Sequence, residues 1–360
     1  MTTAALDPNV HLTYLAEGAA NIVYRIHPPL ITSIVNPTSP STPPSTELES
    51  YGPSTPPPTE VPEPSSPDLY KGHLLRLRKS AASSVPVQES HVAFITKIAP
   101  LFPAESLVSQ TLIVLPPGLL KRLNSELRGL DGVGTRATKR RGTYLDEEEE
   151  YGRLVGDMTG DGNGDGEGDC VALEFKPKWL VQSPTAPKEA RRCRTCALSA
   201  MRIAASSRGT AWKGVCPLKL LAGNIESARE AVDIILKSRA ADERVSTRLV
   251  EFICTNELVK KLRQLQEQWD RQGVLGRREV DEDLSMAMTV RDCTLFLKIP
   301  TNPTMPIEAR LGDLDLKPTT REKLLYWQNI ERRLIDEGWY TTTEKGPAMG
   351  RNHCRLAETC

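Results

Sequence analysis

The chain has 360 residues, 46 Lys and Arg, 46 Asp and Glu, and a formal net charge of zero. That length buries a sizeable core, expected as two lobes, and the balanced charge excludes a global attraction to nucleic acid or to an anionic membrane. Aromatics at 5% and 28 Pro predict some disordered sequence.

No apolar run reaches transmembrane length, and residues 1–9 lack the basic and apolar regions of a signal peptide. The eight Cys are therefore expected as reduced thiols in an intracellular, soluble protein. Charge is segregated along the chain rather than spread evenly.

Residues 12–26 read as strand, Gly turn, strand, with Glu17-Gly18-Ala19-Ala20-Asn21 at the turn. Small residues there let backbone N–H groups approach phosphates closely; an ordinary tight hairpin turn is the equal alternative. Residues 36–67, rich in Pro, Ser and Thr, read as a disordered insertion with polyproline character. Alternation returns over 72–79, where Leu75 and Leu77 face one way and Arg76 and Arg78 the other. Residues 90–101 are predicted as helix and 112–115 as a buried strand.

Residues 129–169 read as a second low-complexity insertion. It is first basic (Arg136, Lys139, Arg140, Arg141), then acidic, then rich in Gly and Asp. Within it, Asp161, Asn163, Asp165 and Gly166 imitate the start of a calcium loop, but Ala172 stands where the bidentate Glu belongs, which argues against calcium.

Order resumes at Val171 with the most informative stretch, Glu174-Phe175-Lys176-Pro177-Lys178-Trp179. Alternation puts Glu174, Lys176 and Lys178 on one face and Phe175, Leu173 and Val171 on the other. Pro177 restricts the segment to an edge strand or a strand end. Residues 171–213 hold nine Lys and Arg against two Asp and Glu. Such density suits a ligand with many negative charges; a solvated charged strand is the alternative.

Helices are predicted at 191–206, 224–237 and 256–272, the last with a core stripe of Leu258, Leu262, Leu265 and Trp269. Cys193 and Cys196 have zinc-pair spacing, but no second nearby pair completes four ligands, and His353 and Cys354 are distant in sequence. A buried thiol pair on a helix is therefore expected. Arg291-Asp292-Cys293-Thr294 precedes an apolar strand at 295–299, where an Asp is most often a cap or turn-former.

Asp313, Asp315 and Lys317 share one face of an extended segment. Two carboxylates and an ammonium suit Mg²⁺ bridging ATP phosphates beside an anionic acceptor; a self-neutralised edge strand is the alternative. Arg321 follows on the first turn of a helix at 319–337. Thr319 and Glu322 fit its capping box, Gly338 its stop, and Leu324, Trp327, Ile330 and Leu334 its buried stripe. The tail after 346 is expected to be unstructured.

Taken in order, these segments resemble the inositol-pentakisphosphate 2-kinase family in its fungal form. The carrying residues are Leu15-Ala16-Glu17-Gly18-Ala19-Ala20-Asn21-Ile22-Val23, Leu75-Arg76-Leu77-Arg78-Lys79, Glu174-Phe175-Lys176-Pro177-Lys178, Arg191-Arg192-Cys193-Arg194-Thr195-Cys196-Ala197, Arg291-Asp292-Cys293-Thr294 and Asp313-Leu314-Asp315-Leu316-Lys317-Pro318. The resemblance implies an α+β fold, two-lobed and distantly protein-kinase-like, with ATP between the lobes and two disordered insertions. The N-lobe would be 1–130 (with insertion 36–67), the second insertion 131–169, the C-lobe 170–345 and the tail 346–360.

Members of that family transfer the γ-phosphate of ATP to the 2-hydroxyl of inositol 1,3,4,5,6-pentakisphosphate. By resemblance, Asp292 is the catalytic carboxylate near that hydroxyl, and Asp313, with Asp315 beside it, holds Mg²⁺. Lys176, Lys178, Lys317 and Arg321 grip substrate phosphates, with Lys176 also near the transferred group. Arg192 and Arg248 are further phosphate-binding candidates, and Glu17, Gly18, Ala19, Ala20, Asn21 and Arg76 meet the nucleotide.

The resemblance further implies a monomer with ATP and Mg²⁺ as cofactors and an inositol pentakisphosphate as partner. It implies no membrane or direct nucleic-acid contact, and a nuclear location. Ala19 departs from the second Gly of plant relatives, and Leu325 from their phosphate-contacting Tyr.

Two other readings compete. A polyanion-binding protein without catalysis has no use for carboxylates such as Asp292 and Asp313 beside its lysines. Nucleic-acid binding is disfavoured by the charge balance and by the lack of interleaved aromatic and basic residues.

Overall fold

The computed structural model describes residues 3–27, 67–80, 85–160, 170–206, 214–221, 223–236, 242–342 and 354–358. Nearly all of the expected insertion 36–67, the calcium-like stretch 161–166 and most of the tail after 346 lie outside the described residues.

In chain order the elements are β1 (His11–Glu17), β2 (Asn21–His27), β3 (His73–Arg78), α1 (Val87–Ala93), β4 (Gln110–Val114), α2 (Leu119–Gly132), β5 (Tyr151–Gly156) and β6 (Cys170–Phe175). There follow α3 (Arg194–Ala204), α4 (Ile225–Leu236), α5 (Glu243–Thr255), α6 (Glu257–Trp269), α7 (Glu282–Asp292), β7 (Thr294–Pro300), β8 (Glu308–Gly312), α8 (Arg321–Asp336) and the short α9 (Arg355–Glu358). The class is α+β. No helix among the described residues is long and apolar enough to cross a membrane.

The chain divides into two units, residues 1–87 with 110–155 and residues 88–109 with 156–360. The first unit is a five-stranded sheet of order β1-β2-β3-β5-β4. Leu75 and Leu77 pair with Tyr24 and Ile22 across β2–β3 and are buried, while Arg76 and Arg78 point to the other, partly exposed face, as alternation predicts. Leu119, Leu120, Leu123 and Leu127 of α2 join the same core.

The expectation of a second low-complexity insertion is corrected here, because residues 129–155 are built into this unit. β5 lies between β3 and β4 and contributes Leu154, 1% exposed. Part of the acidic run that reads as a solvated loop is paired in place, while Glu147, Glu148 and Glu150 are exposed. Arg78 donates to Glu149 at 2.7 Å and pairs with Asp146, and Asn124 donates to Glu147 at 2.9 Å.

The second unit is built on an antiparallel sheet of order β6-β7-β8. Leu173, Leu295, Leu297, Ile299 and Leu311 pack there with apolar faces of α4, α5, α6 and α7. β6 is an edge strand that ends at Phe175, two residues before Pro177, which lacks the N–H a ladder needs. The α6 stripe faces the core as expected, with Leu262 fully buried.

α7 is buried continuously from Leu284 to Arg291, so its sequence has no amphipathic period and reads as no helix at all. α8 is capped by Thr320, whose hydroxyl accepts from the Lys323 N–H at 3.3 Å. The expected cap, Thr319, instead bonds Ser285 at 2.7 Å. Gly338, at φ 73°, ends the helix, with Trp339 N–H bonding back to Leu334 at 3.0 Å.

Candidate active site

Three chain segments of the second unit converge on the Asp292 side chain. Lys178 donates to its carboxylate at 2.7 Å, Lys317 lies 2.9 Å from the other oxygen, and Lys176 lies 3.6 Å away. Lys176 also reaches Asp313 at 3.5 Å and donates to the Asp292 backbone carbonyl at 2.6 Å. That carbonyl ends α7, where unpaired carbonyls and the helix dipole favour a cation. Thr294, at the start of β7, donates to Asp313 at 2.9 Å and completes the cluster.

Local structure explains the aim of each group. Asp313 follows Gly312, where a Cβ would sit 2.8 Å from the Phe296 ring, so only glycine lets β8 end against β7 at this point. Lys178 (φ 57°) and Asp313 (φ 54°) are the two non-glycine residues with positive φ among the described residues. A left-handed L-residue costs roughly 1–2 kcal/mol, and such outliers persist where the surroundings over-determine them, commonly at active sites.

The surroundings here are Gln266 and a buried ionic chain. Gln266, fully buried on α6, donates to the Lys178 carbonyl at 2.8 Å and to the Val290 carbonyl at 3.3 Å, and accepts from Leu180 N–H at 2.9 Å. One amide thus ties the lysine segment to the end of α7. Next to it, the Trp179 ring carries two guanidinium groups, Arg291 at 3.6 Å from its ring centre and Arg194 at 4.0 Å. Arg291 pairs with buried Asp270 at 2.6 Å, and Arg194 with buried Glu331 at 2.9 Å.

The cluster itself is half-exposed, with side-chain exposures of 35–45% for Lys176, Lys178, Lys317, Asp292 and Asp313. Burial alone would raise the Asp292 carboxyl. The Lys178 hydrogen bond and the Lys317 charge outweigh it and hold the group well below the usual carboxylate range. Asp292 is therefore a carboxylate at neutral pH in the free protein.

Leu314 is buried and Leu316 packs on the core; Asp315 lies between them in the segment that carries Asp313 and Lys317. Lys317 is fixed through its backbone N–H, which donates to Thr289 of α7 at 2.9 Å. Arg321 is exposed on the first turn of α8.

Two further phosphate-binding candidates make their contacts away from this cluster. Arg192 is 2% exposed and donates to the Trp339 carbonyl at 3.3 Å. Arg248 lies on α5 and donates to the carbonyls of Pro300 and Met305, holding the connection between β7 and β8. Local basic density told neither residue's direction.

In the first unit, the turn residues Gly18, Ala19 and Ala20 are exposed, and Asn21 accepts from Arg76 at 2.7 Å when its amide is oriented with oxygen toward the guanidinium. Glu17 lies beneath the turn, its side chain 4% exposed. Arg136 forks onto it at 3.0 and 2.9 Å, Tyr14 donates at 3.0 Å, and Lys79 pairs with it while donating to the Gly18 carbonyl at 3.0 Å. Glu17 supports the turn from below, and Arg136, Lys79 and Tyr14 are supporting residues the sequence did not reveal.

Burial would raise the Glu17 carboxyl, but Arg136 and Lys79 bring it down to about 2. A depressed folded-state value stabilises the fold fully above the unfolded value of 4.5, and that contribution drains away as pH falls toward about 2. Acid titration followed by fluorescence should show the chain losing stability across that window. Glu17→Gln should flatten the dependence there while lowering stability at neutral pH. An unchanged acid profile would contradict the role given to Glu17.

The sequence profile of a family described as inositol-pentakisphosphate 2-kinase matches residues 14–333. A protein of Yarrowia lipolytica named inositol-pentakisphosphate 2-kinase is 34% identical over 171 residues, 47% of this chain and 53% of its own length. A Kluyveromyces lactis protein of the same name is 28% identical over 170 residues, 46% of this chain and 50% of its own. The chain spans about half the length of these curated relatives.

Proposed function

The chain belongs to the inositol-pentakisphosphate 2-kinase family, and on that premise we propose that it transfers the γ-phosphate of ATP to the 2-hydroxyl of inositol 1,3,4,5,6-pentakisphosphate, giving inositol hexakisphosphate. The supporting observation is the convergence of Lys176, Lys178 and Lys317 on Asp292 and Asp313, from segments more than a hundred residues apart in sequence. The relatives' names do not favour a binding protein without catalysis.

Phosphoryl transfer asks a protein mainly for position and charge compensation. In the free protein the lysines rest on carboxylates. When the acceptor binds, its phosphate oxygens replace those partners with stronger, multiply charged ones. Cations held in fixed places also count phosphates, because a less phosphorylated ring leaves desolvated ammonium groups unmatched.

Asp292, held ionised, accepts a hydrogen bond from the acceptor hydroxyl and turns its oxygen toward the γ-phosphate. Once the lysines have turned to the acceptor phosphates, the carboxylate can take the hydroxyl proton late in the transfer, as the bond to the γ-phosphate forms and that to ADP breaks. Arg321 extends the cationic face.

Mg²⁺ is commonly held by one or two carboxylates together with substrate phosphates and water. Exposed Asp313, with Asp315 two residues on in the same segment, fits that donor set and would hold the ion. When bound, the ion supplies neutralisation of phosphate charge. The turn Gly18-Ala19-Ala20-Asn21 and Arg76 are assigned to the nucleotide, with Glu17 supporting the turn. We read the two units as the lobes of a kinase-like fold; family resemblance also supports a monomer located in the nucleus.

Incubation of the full chain with Mg-ATP and a panel of inositol phosphates, followed by product separation, tests the reading. The expected product is inositol hexakisphosphate from the pentakisphosphate with a free 2-hydroxyl, and little from tris- or tetrakisphosphates. Tight binding of the pentakisphosphate without turnover would overturn the enzyme reading in favour of a binding protein.

A further inference from the structure

Two fully buried polar side chains of the second unit, Gln266 on α6 and Thr289 on α7, stand behind the lysine cluster, and their hydrogen bonds run to backbone groups. Gln266 donates to the carbonyls of Lys178 and Val290 and accepts from the Leu180 N–H, so its amide uses both protons and its oxygen. Thr289 gives its one proton to the Ser285 carbonyl at 2.7 Å, which leaves its oxygen to accept the Lys317 N–H at 2.9 Å. Neither side chain can turn without leaving a buried partner unmatched, which costs the full desolvation of that group.

Each contact serves a stretch where regular structure has run out. β6 ends at Phe175, and beyond Pro177 the Gln266 amide meets the carbonyl of Lys178 and the N–H of Leu180 in place of a strand neighbour. β8 ends at Gly312, and the Thr289 hydroxyl holds the Lys317 N–H just before Pro318, which has none to offer.

The shared reference is the last turn of α7. Through Gln266 that turn is tied to Lys178, and through Thr289 to Lys317. Its own Asp292 carboxylate receives the two ammonium groups on opposite oxygens, at 2.7 and 2.9 Å. A lysine carries its charge on a flexible aliphatic stem, so the place of the ammonium in a complex is only as definite as the place of its backbone. We propose, on the reading of these lysines as acceptor-phosphate ligands, that Gln266 and Thr289 are positioning residues that set the places of Lys178 and Lys317 and thereby the selectivity for the pentakisphosphate. Cations referred to one helix turn demand a phosphate at each fixed place. Cations on a slack backbone follow whatever phosphates a poorer ring offers.

A double-mutant cycle on the full chain is the test, read by calorimetric binding of inositol 1,3,4,5,6-pentakisphosphate. Thr289→Val keeps the branched shape and removes the acceptor of the Lys317 N–H. It should weaken binding about tenfold, the low end of what a hydrogen bond to a charged group contributes. With Lys317→Ala already present the same change should cost less than about twofold, because no ammonium is left to misplace. Gln266→Met should behave likewise toward Lys178→Ala, and Thr289→Ser should bind as the parental chain does. Discrimination between the pentakisphosphate and tetrakisphosphates should narrow in Thr289→Val and Gln266→Met. It should not narrow in Gln328→Leu, which removes a buried amide of α8 that donates to the carbonyls of Val274 and Arg277 at 3.0 and 2.9 Å. Equal losses with and without the lysine, or the same narrowing in Gln328→Leu, would mark a merely structural role and overturn the proposal. If Gln266→Met fails to fold, the Thr289 cycle decides. Binding without turnover by the parental chain overturns the proposed reaction while the cycle still decides the positioning role, and no binding at all overturns both.

Discussion

Asp292→Asn is expected to slow phosphoryl transfer by about 10²–10⁴-fold, the range for loss of a positioned acid–base group. Affinity for inositol pentakisphosphate should be kept or increased. Asn preserves the size of the side chain, so the packing at the end of α7 survives. What is lost is the charge that aligns the acceptor hydroxyl, together with the resident partner of Lys178 and Lys317. Those lysines then face an incoming polyphosphate with less competition. Steady-state rates and calorimetric binding on the same preparations separate the two effects. A parental rate would remove Asp292 from the reaction, and loss of binding with an intact rate per bound complex would make it a binding residue.

Asp270→Ala is expected to destabilise the second unit by about 3–5 kcal/mol, the usual consequence of removing one member of a buried ion pair. Asp270 is completely buried and lies between Arg291 at 2.6 Å and Arg277 at 3.5 Å. Burial already pushes the Arg291 guanidinium down to about 10, and the Asp270 charge acts against that push. Without Asp270, Arg291 keeps its contact with the Trp179 ring but loses its buried counter-charge. The natural comparison is Glu267→Ala, which removes an exposed helical pair with Arg263 at 3.0 Å and should change stability by less than about 0.5 kcal/mol. Thermal unfolding of both variants gives the contrast, and similar losses for the two would show that the Arg–Trp–Arg stack does not depend on its acid.

Sequence pattern revealed most where side chains repeat with a period. The β1–β2 hairpin, the Leu75/Leu77 alternation, the α6 stripe and the edge position of β6 follow from spacing and from one proline. α7 was hidden by the opposite circumstance: a helix buried on all sides has no polar face to mark its period. β5 was hidden by its neighbours, because a run of acids looks solvated until its arginine is known, and Arg78 is some seventy residues earlier.

Direction was the harder property to read. Lys176, Lys178, Lys317 and Asp292 were brought together by a resemblance that gave their order, and the fold supplies the meeting point. Arg192 belongs to the same basic stretch as Lys178 yet turns inward. The packing of Cys216 and Cys354 with Cys193 and Cys196 escaped because spacing is legible only over short separations, and Cys354 accepts from the Cys193 N–H across more than 150 residues. Gln266 carried no signal, since a single amide in an amphipathic helix resembles any polar surface residue until its three hydrogen bonds are seen.

The resting ion pairs around Asp292 mean that the cationic face is already occupied by an internal counter-anion. On the proposed reading, a polyphosphate would enter by exchange, displacing a tethered carboxylate where an unpaired lysine would have shed mobile salt ions. Fewer small ions are released than the number of lysines suggests, so the salt dependence of binding should be shallower than a simple count of positive charges implies. Weak, singly charged anions from the surrounding solution would then compete poorly with the built-in carboxylate, whereas a ring bearing many phosphates would displace it.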